Sequence, residues 1–409
     1  MLTVLHCADI HLDPPFAALS PSEAAERREE LRLNFARMLR RASDGGISLC
    51  LICGDLFDSD AVSADTVSFV CGLFADVAPM RIVILPGNHD PYTPNGVYGT
   101  TRFPENVFVF TSAALQCIPF PDLGADVYGS ACVGENASGT RFSGVYPARR
   151  DRINILCAHG SLNASDAEFC PISVRDIEDS GFDYYALGHY HNNAGLVRLG
   201  QKWYGYAGCM QGRDFGETGE KGAVVAAMKK SGEGFFADWR LVPFCSHHYE
   251  ICRVHLSGVT DADGVLSAVR SALSDAAYDG RTDVRIVLTG ELPAGMRIPF
   301  AVLRVQWEEQ FYSLEIRDES HPSPESEALR RDPSLRGAFY AALAPELSAD
   351  DPAVRMSGQN GVHAERGPPR QLIVPVRQHQ DKGVPALRRA DLRDQRLRRF
   401  LIRRAVRVV

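Results

Sequence analysis

The 409-residue sequence has no apolar run approaching the ~20 residues needed to cross a bilayer, and Asp9 already interrupts its first hydrophobic stretch. Its opening, Met1-Leu2-Thr3-Val4-Leu5, lacks the basic start and long apolar segment of a secretion signal. The expectation is a cytoplasmic protein with no membrane attachment. No internal repeat is present. A disulfide framework is missing too, because the eleven cysteines are odd in number and scattered through apolar runs. Cys50 and Cys53 do form a CxxC, but within an apparent strand, where residues three apart face opposite sides. Buried thiols are the reading.

What is there is an ordinary globular composition, 45% hydrophobic and 23% charged, with a mean hydropathy of -0.14. That excludes a wholly disordered or collagen-like chain. The length suggests two domains, one large and one small. The net charge of -7 conceals an asymmetry. From Arg355 onward there are 14 basic against 4 acidic side chains, and before it 30 against 47. A body that acidic does not hold nucleic acid by general attraction, so any such grip must come from local features or bound cations.

Residues 1–245 alternate short β-branched runs with helical patterns. Leu2–Cys7, Ser48–Cys53, Arg81–Leu85, Ile153–Ala158 and Tyr184–Leu187 read as buried strands. Ser20, Pro21 and Glu23 form a capping box ahead of Leu31, Phe35, Met38 and Ala42, and Gly45-Gly46 ends that helix. A second helix is expected from Ser63, giving a layered α/β architecture. Residues 246–320 restart with strand, helix, strand, helix and strand, which predicts a smaller α/β capping domain. Residues 321–350 read as a turn-rich linker with a helical piece around Leu335–Leu347. Residues 351–409, rich in Arg, Gln, Gly and Pro, read as a basic, poorly ordered tail.

Five polar motifs fall at the ends of predicted strands: Asp9-Ile10-His11, Gly54-Asp55-Leu56-Phe57-Asp58, Gly87-Asn88-His89-Asp90, His159-Gly160 and Gly188-His189-Tyr190-His191. In open α/β sheets ligands bind beyond the carboxyl ends of strands, so these residues can converge. Carboxylate, imidazole and amide oxygen donors suit divalent ions such as Mn²⁺ or Fe²⁺. Pairs two apart, Asp9 with His11 and His189 with His191, share one face of an extended backbone. Two cations held ~3.5–4 Å apart are the recurring solution for cleaving phosphate esters.

Together the five motifs resemble the calcineurin-like metallophosphoesterases, over roughly residues 1–215. The resemblance implies a four-layer β-sandwich flanked by helices and two divalent metal ions, Mn²⁺ being expected. It implies Asp9, His11, Asp55 and His191 around one ion. Asp55, Asn88, His159 and His189 would surround the other, with Asp55 bridging. His89 would assist the leaving oxygen, oriented by a nearby acid for which Asp58 is the candidate. The stretch from Leu5 to Asp13, with GDLFD and PGNHD, looks like the DNA repair exonucleases of the SbcD type, and Gln211–Gly222 looks like their YhaO branch. That narrower resemblance implies hydrolysis of phosphodiester bonds at DNA ends, an SMC-like ATPase as partner and a homodimer. Two alternatives are a phosphomonoesterase or cyclic-nucleotide phosphodiesterase acting on a small substrate, and a metal-free binding scaffold.

Several residues have competing readings. Arg213 or Lys221 could touch a nucleic-acid backbone, or Gln211–Gly222 could be a glycine-rich hairpin. Arg141, Arg149, Arg150 and Arg152 form a local basic cluster read as a solvated surface. His247-His248 reads as domain-junction surface rather than a metal pair, and His6 as a residue packed behind the site. Trp203, Tyr204 and Tyr206 read as core rather than base-stacking aromatics, and Cys7 and Cys157 as packed strand thiols. Leu387-Arg388-Arg389 and Arg396–Phe400 could form a basic helix for DNA or the ATPase partner.

Overall fold

A computed structural model describes residues 1–323 apart from 135–141, 164–169, 194, 233, 277 and 294, together with residues 333, 338, 341 and 342. The helical piece expected around Leu335–Leu347 falls almost entirely outside the described residues. Arg141 and the tail 351–409 lie outside them.

The first part of the chain runs β1 (Leu2–Cys7), α1 (Pro21–Asp44), β2 (Leu49–Cys53), α2 (Ala64–Asp76), β3 (Arg81–Leu85), α3 (Val97–Thr100) and β4 (Val107–Val109). It continues through β5 (Gln116–Phe120), β6 (Ala125–Gly129), β7 (Ile153–His159), α4 (Val174–Glu178), β8 (Tyr184–Gly188), β9 (Gly195–Leu199) and β10 (Lys202–Tyr206). Then come β11 (Gly222–Ser231), β12 (Gly234–Pro243), β13 (His248–His255), α5 (Ala262–Asp275), β14 (Thr282–Leu292), α6 (Phe300–Trp307) and β15 (Ser313–Pro322).

α1 forms where the cap residues require it. The Glu23 N–H donates to Ser20 Oγ, while the Ser20 N–H donates to the Glu23 carboxylate at 2.9 Å. Gly46, at φ 73°, turns the chain out after the last turn. Ser63 caps α2 in the same way, accepting from the Thr66 N–H at 3.2 Å.

Strands in the order β12-β11-β1-β2-β3-β4 make one six-stranded sheet, and β5-β6-β7-β8-β10-β9 make a second. Their facing sides share a core that includes Val4, Leu51, Val83, Val127, Ile155 and Tyr184. α1 and α2 cover the outer face of the first sheet, where Phe35, Leu39 and Phe74 meet Leu5, Ile52 and Ile84. Each large apolar side chain buried this fully stabilises the fold by about 1.5–3 kcal/mol. α4 and Phe142 cover the outer face of the second sheet against Leu156 and Tyr185. The result is the expected four-layer arrangement. Cys50 and Cys53 point into different cores, and none of the eleven cysteines is in a disulfide.

The third sheet, β13-β14-β15, is parallel throughout, with α5 and α6 as its connections. It has its own core around Val254, Ile286, Leu288, Leu303 and Trp307.

Trp203 and Tyr204 pack against the two cores of the second sheet. The buried Tyr206 donates its hydroxyl to the Gly160 carbonyl at 2.7 Å. Arg149 and Arg152 are not purely solvated: both pair with the buried carboxylate of Asp126, at 2.8 and 3.0 Å. His247 also differs from its expected surface position. It is buried at the junction between α1 and the third sheet, its Nδ1 facing Asp283 and its Nε2 facing Glu30 at 3.1 Å. The ring stacks on Tyr312 at 4.3 Å, and Arg27, Gln211 and Tyr249 complete its surroundings.

Burial opposes charge on His247, but its bonds to Asp283 and Glu30 outweigh this and raise its pKa. Glu30 responds in kind: despite burial, bonds from His247 and Ser246 hold it at about 2. The His247 contribution is therefore fully present below its ordinary pKa and is lost as pH rises through the raised folded-state value. His247→Gln should destabilise the protein by about 3 kcal/mol at pH ~6, with the gap to wild type closing towards pH ~9. Thermal unfolding at both pH values checks this, and an unchanged gap would show that folding does not raise the His247 pKa.

Candidate metal centre

β1, β2 and β3 run parallel in the first sheet, as do β7 and β8 in the second, and the site lies beyond their carboxyl ends. Main-chain pairing continues past the strands and fixes the loops. Asp9 N–H donates to the Gly54 carbonyl, His11 N–H to Asp55 and Leu12 N–H to Leu56, at 2.9–3.1 Å. Gly160 N–H likewise donates to the Gly188 carbonyl at 3.1 Å.

The turns are strained where they present side chains. Asp9, His11, Asp55 and His189 all have positive φ, at 51°, 49°, 52° and 111°. Gly54 precedes Asp55 because no side chain fits there. A Cβ on it would lie 1.9 Å from His159 Nδ1, and its own φ is 92°. Gly87 is equally hemmed in, since its Cβ would lie 2.1 Å from Asp55 Oδ1.

Three histidines aim Nε2 inward because Nδ1 is held from behind. His159 Nδ1 donates to the Cys53 carbonyl at 2.9 Å. His191 Nδ1 meets Glu217 Oε1 at 2.5 Å, and His11 Nδ1 lies 3.0 Å from Asp58 Oδ1. The opposite nitrogens then converge. His11 Nε2 and His191 Nε2 are 3.3 Å apart, and His191 Nε2 is 3.7 Å from Asp9 Oδ1. His159 Nε2 lies 3.2 Å from Asp55 Oδ2 and 2.9 Å from Asn88 Oδ1, and His189 Nδ1 lies 3.3 Å from the same amide oxygen. Asp55 Oδ1 accepts the His89 N–H at 2.9 Å, which leaves Oδ2 between His159 and, at 3.7 Å, His11.

All seven expected ligand residues are thus brought together. His191 Nδ1 bonds Glu217, and His11 Nδ1 lies in ion-pair contact with Asp58 without a hydrogen bond, while the two Nε2 atoms face one another, an arrangement that positive charge between them would relieve. Asp9 and Asp55 are buried carboxylates that need the same charge. Burial opposes protonation of His159, yet Asp55 and Asp9 raise its pKa to about 10. Asp55 itself, despite burial, is held well below the usual carboxylate range by His159 and His11. A divalent cation answers this demand, and the mixed nitrogen and oxygen donors fit one.

Asp58 differs from its expected role. Its carboxylate serves His11 and Arg213, whereas His89 Nδ1 donates to the Asp58 backbone carbonyl at 3.1 Å. A carbonyl only accepts, so the proton sits on Nδ1, and Nε2 is the nitrogen that can exchange one. His89 is exposed at the mouth of the site.

The segment Gln211–Gly222 is not a hairpin, because β10 and β11 belong to different sheets. It crosses the site from one sheet to the other. Lys221 is buried and donates to Asn192 Oδ1 at 2.6 Å, while Arg213 spans Asp58 and Glu217. The third sheet grips this segment from outside. The Gly219 N–H donates to the Tyr249 carbonyl, the Tyr249 hydroxyl to the Arg213 carbonyl at 3.2 Å, and the Arg285 guanidinium covers the Phe215 ring at 3.8 Å. His6 sits behind the site, held by the Tyr184 hydroxyl and the Leu187 carbonyl at 2.9 and 3.1 Å.

Two residues that brace the site had no role assigned from the sequence. Asp90 is buried and accepts from Phe57 N–H, Gly87 N–H and the Tyr98 hydroxyl at 3.0, 2.7 and 2.6 Å, bracing the Asp55 and Asn88 turns together. Burial, with Asp55 nearby, pushes its pKa up to about 7. Glu217 lay within the polar Gln211–Gly222 stretch, but its link to His191 has no sequence signal beyond an acidic residue there.

Residues 2–193 match the family of calcineurin-like phosphoesterases. The chain carries a calcineurin-like phosphoesterase domain. YhaO of Bacillus subtilis (strain 168), an uncharacterized metallophosphoesterase, is 27% identical over 375 residues, covering 85% of this chain and 88% of its own. Vacuolar protein sorting 29 of Cryptosporidium parvum matches 59% of this chain and 98% of its own, at 14% identity and a TM-score of 0.28. A double mutant of Vps29 from Entamoeba histolytica covers 59% of this chain and 99% of its own, at 10% identity and a TM-score of 0.24. The match places residues 2–193, a little under half of the chain, with the metallophosphoesterases, hydrolases that work with divalent metal. Among the described residues no helix is long and apolar enough to cross a membrane.

Gly54→Ala should push His159 out of line and destabilise the fold by about 2–4 kcal/mol, through overpacking and left-handed strain combined. Thermal unfolding measures this, and a wild-type melting temperature would contradict the packing described.

Proposed function

We propose that the protein hydrolyses phosphodiester bonds at DNA ends using two divalent cations, with Mn²⁺ the natural choice. Asp9, His11, Asp55 and His191 would hold one cation, and Asp55, Asn88, His159 and His189 the other. The observation that carries this reading is the position of Asp55 Oδ2, which lies between His11 and His159 while the other oxygen is tied to the His89 N–H. A single carboxylate so placed can serve both sets of donors.

Cations held by these residues would supply activation of water and neutralisation of charge on the phosphoryl group. The chain's own residues do the rest. Asp9 stays fixed because its two oxygens accept the His189 N–H at 3.2 and 3.0 Å. Asn88 contributes an uncharged oxygen, which keeps one side of the site from accumulating excess negative charge. His89, when both ring nitrogens carry a proton, would give the one on Nε2 to the departing sugar oxygen and be left neutral with Nδ1–H still on the Asp58 carbonyl. Its exposure at the mouth supports such a role. The likeness of GDLFD and PGNHD to the SbcD-type nucleases supports DNA as the substrate.

The acidic body favours a second reading, a phosphomonoesterase or cyclic-nucleotide phosphodiesterase on a small substrate. End-labelled single- and double-stranded DNA, nitrophenyl phosphates and cyclic AMP, assayed with Mn²⁺, Mg²⁺ and chelator, separate the two. Degradation of DNA from its ends in Mn²⁺, abolished by chelator, is the expected result. Turnover confined to the small esters would sink the DNA reading. Asp55→Asn and His89→Ala should each lower hydrolysis by at least ~10²-fold with unchanged circular dichroism. Wild-type turnover by either would remove its assigned role.

A further inference from the structure

Arg213 sends its two terminal nitrogens to different carboxylates. Nη1 donates to Asp58 Oδ1 at 2.9 Å, and Nη2 donates to Glu217 Oε1 at 3.0 Å. Those same two oxygens are the ones that face the metal-site rings. Asp58 Oδ1 lies 3.0 Å from His11 Nδ1, and Glu217 Oε1 lies 2.5 Å from His191 Nδ1. The two rings then meet at their far sides, Nε2 to Nε2, at 3.3 Å. Five side chains therefore close a ring: His11, Asp58, Arg213, Glu217 and His191.

The ring is fastened at its outer edge. Glu217 Oε2 accepts the Arg213 backbone N–H at 2.8 Å, so this carboxylate is engaged at both oxygens. The Arg213 backbone carbonyl accepts the Tyr249 hydroxyl. The Arg213 side chain is 22% exposed, with both terminal nitrogens engaged inside the protein. A guanidinium suits the position because its planar fork reaches two acceptors in fixed directions, which an ammonium on a flexible stem cannot do.

We propose that Arg213 is a positioning residue, a clamp that fixes Asp58 and Glu217 and through them the direction and Nδ1–H form of His11 and His191, and that it is not a contact for substrate phosphate. The proposal rests on the metal-site reading above. Carboxylate partners behind ligating histidines set ring orientation and basicity, and their loss typically weakens metal binding ~10–100-fold. Here one cation is made responsible for two such partners at once. The cation position built from Asp9, His11 and His191 depends on the clamp. The position built from Asn88, His159 and His189 does not, because His159 is oriented by the Cys53 carbonyl instead.

The test is calorimetric titration of the chelator-stripped full chain with Mn²⁺ alone, without substrate. Wild type should show two binding events. Arg213→Ala and the isosteric Glu217→Gln should each weaken one event ~10–100-fold and leave the other unchanged. Arg213→Lys should recover little of the loss. Asp58→Asn with Glu217→Gln should weaken binding by less than the product of the single effects, since both act through one guanidinium. Circular dichroism of the stripped proteins confirms folding, and Glu217→Gln carries the test should Arg213→Ala fail to fold. Wild-type Mn²⁺ affinities in Arg213→Ala or Glu217→Gln would overturn the clamp, most plainly if KM rose in Arg213→Ala. A wild-type protein that takes up no Mn²⁺ would overturn the metal reading itself, and the clamp with it.

Discussion

Two carboxylates buried beside inward-facing imidazole nitrogens constrain everything else in this molecule. Asp9 and Asp55 have left water, and an unpaired buried charge costs several kcal/mol after relaxation. The fold answers by bringing parallel strand ends from two sheets to one crevice, so that positive charge can be shared among side chains distant in sequence. Parallel strands matter because all their carboxyl ends emerge on one side. The sheets are then pressed close enough that a Cβ at Gly188 would lie 1.8 Å from the Cys53 carbonyl oxygen.

That closeness explains the strained turns. Left-handed backbone at non-glycine residues persists only where its surroundings over-determine it. Around Asp9, His11 and Asp55 the surroundings are main-chain bonds between the two loops, reinforced by Asp90 beneath. The site is therefore rigid from behind and open on the side of His89, a distribution that suits a centre which must hold its geometry while a substrate arrives.

Much of this was legible beforehand, for identifiable reasons. Strands such as Arg81–Leu85 are short apolar runs ending in glycine-marked turns, and α1 carries a complete capping box; these are local signals, and local structure follows them. The ligand residues were readable because each stands at a strand end. Less legible were interactions whose partners lie far apart in the chain. Nothing local says that the Asp58 carboxylate turns to His11 while its backbone carbonyl takes His89, since that choice depends on Arg213 arriving 155 residues later. His247 was misplaced for the same reason: its companions Glu30 and Asp283 come from α1 and β14, and only the assembled junction makes an interior of them.

The grip of the three-stranded sheet on Gln211–Gly222 means that sequence modules are not mechanical modules here. Tyr249 and Arg285 belong to the smaller unit, yet the loop they hold supplies the carboxylate behind His191. A chain cut before β13 would not be a smaller edition of the same catalyst, because its crossing loop would lose an outer wall. Force applied to the distal sheet has a short, stiff path to an imidazole at the reaction centre.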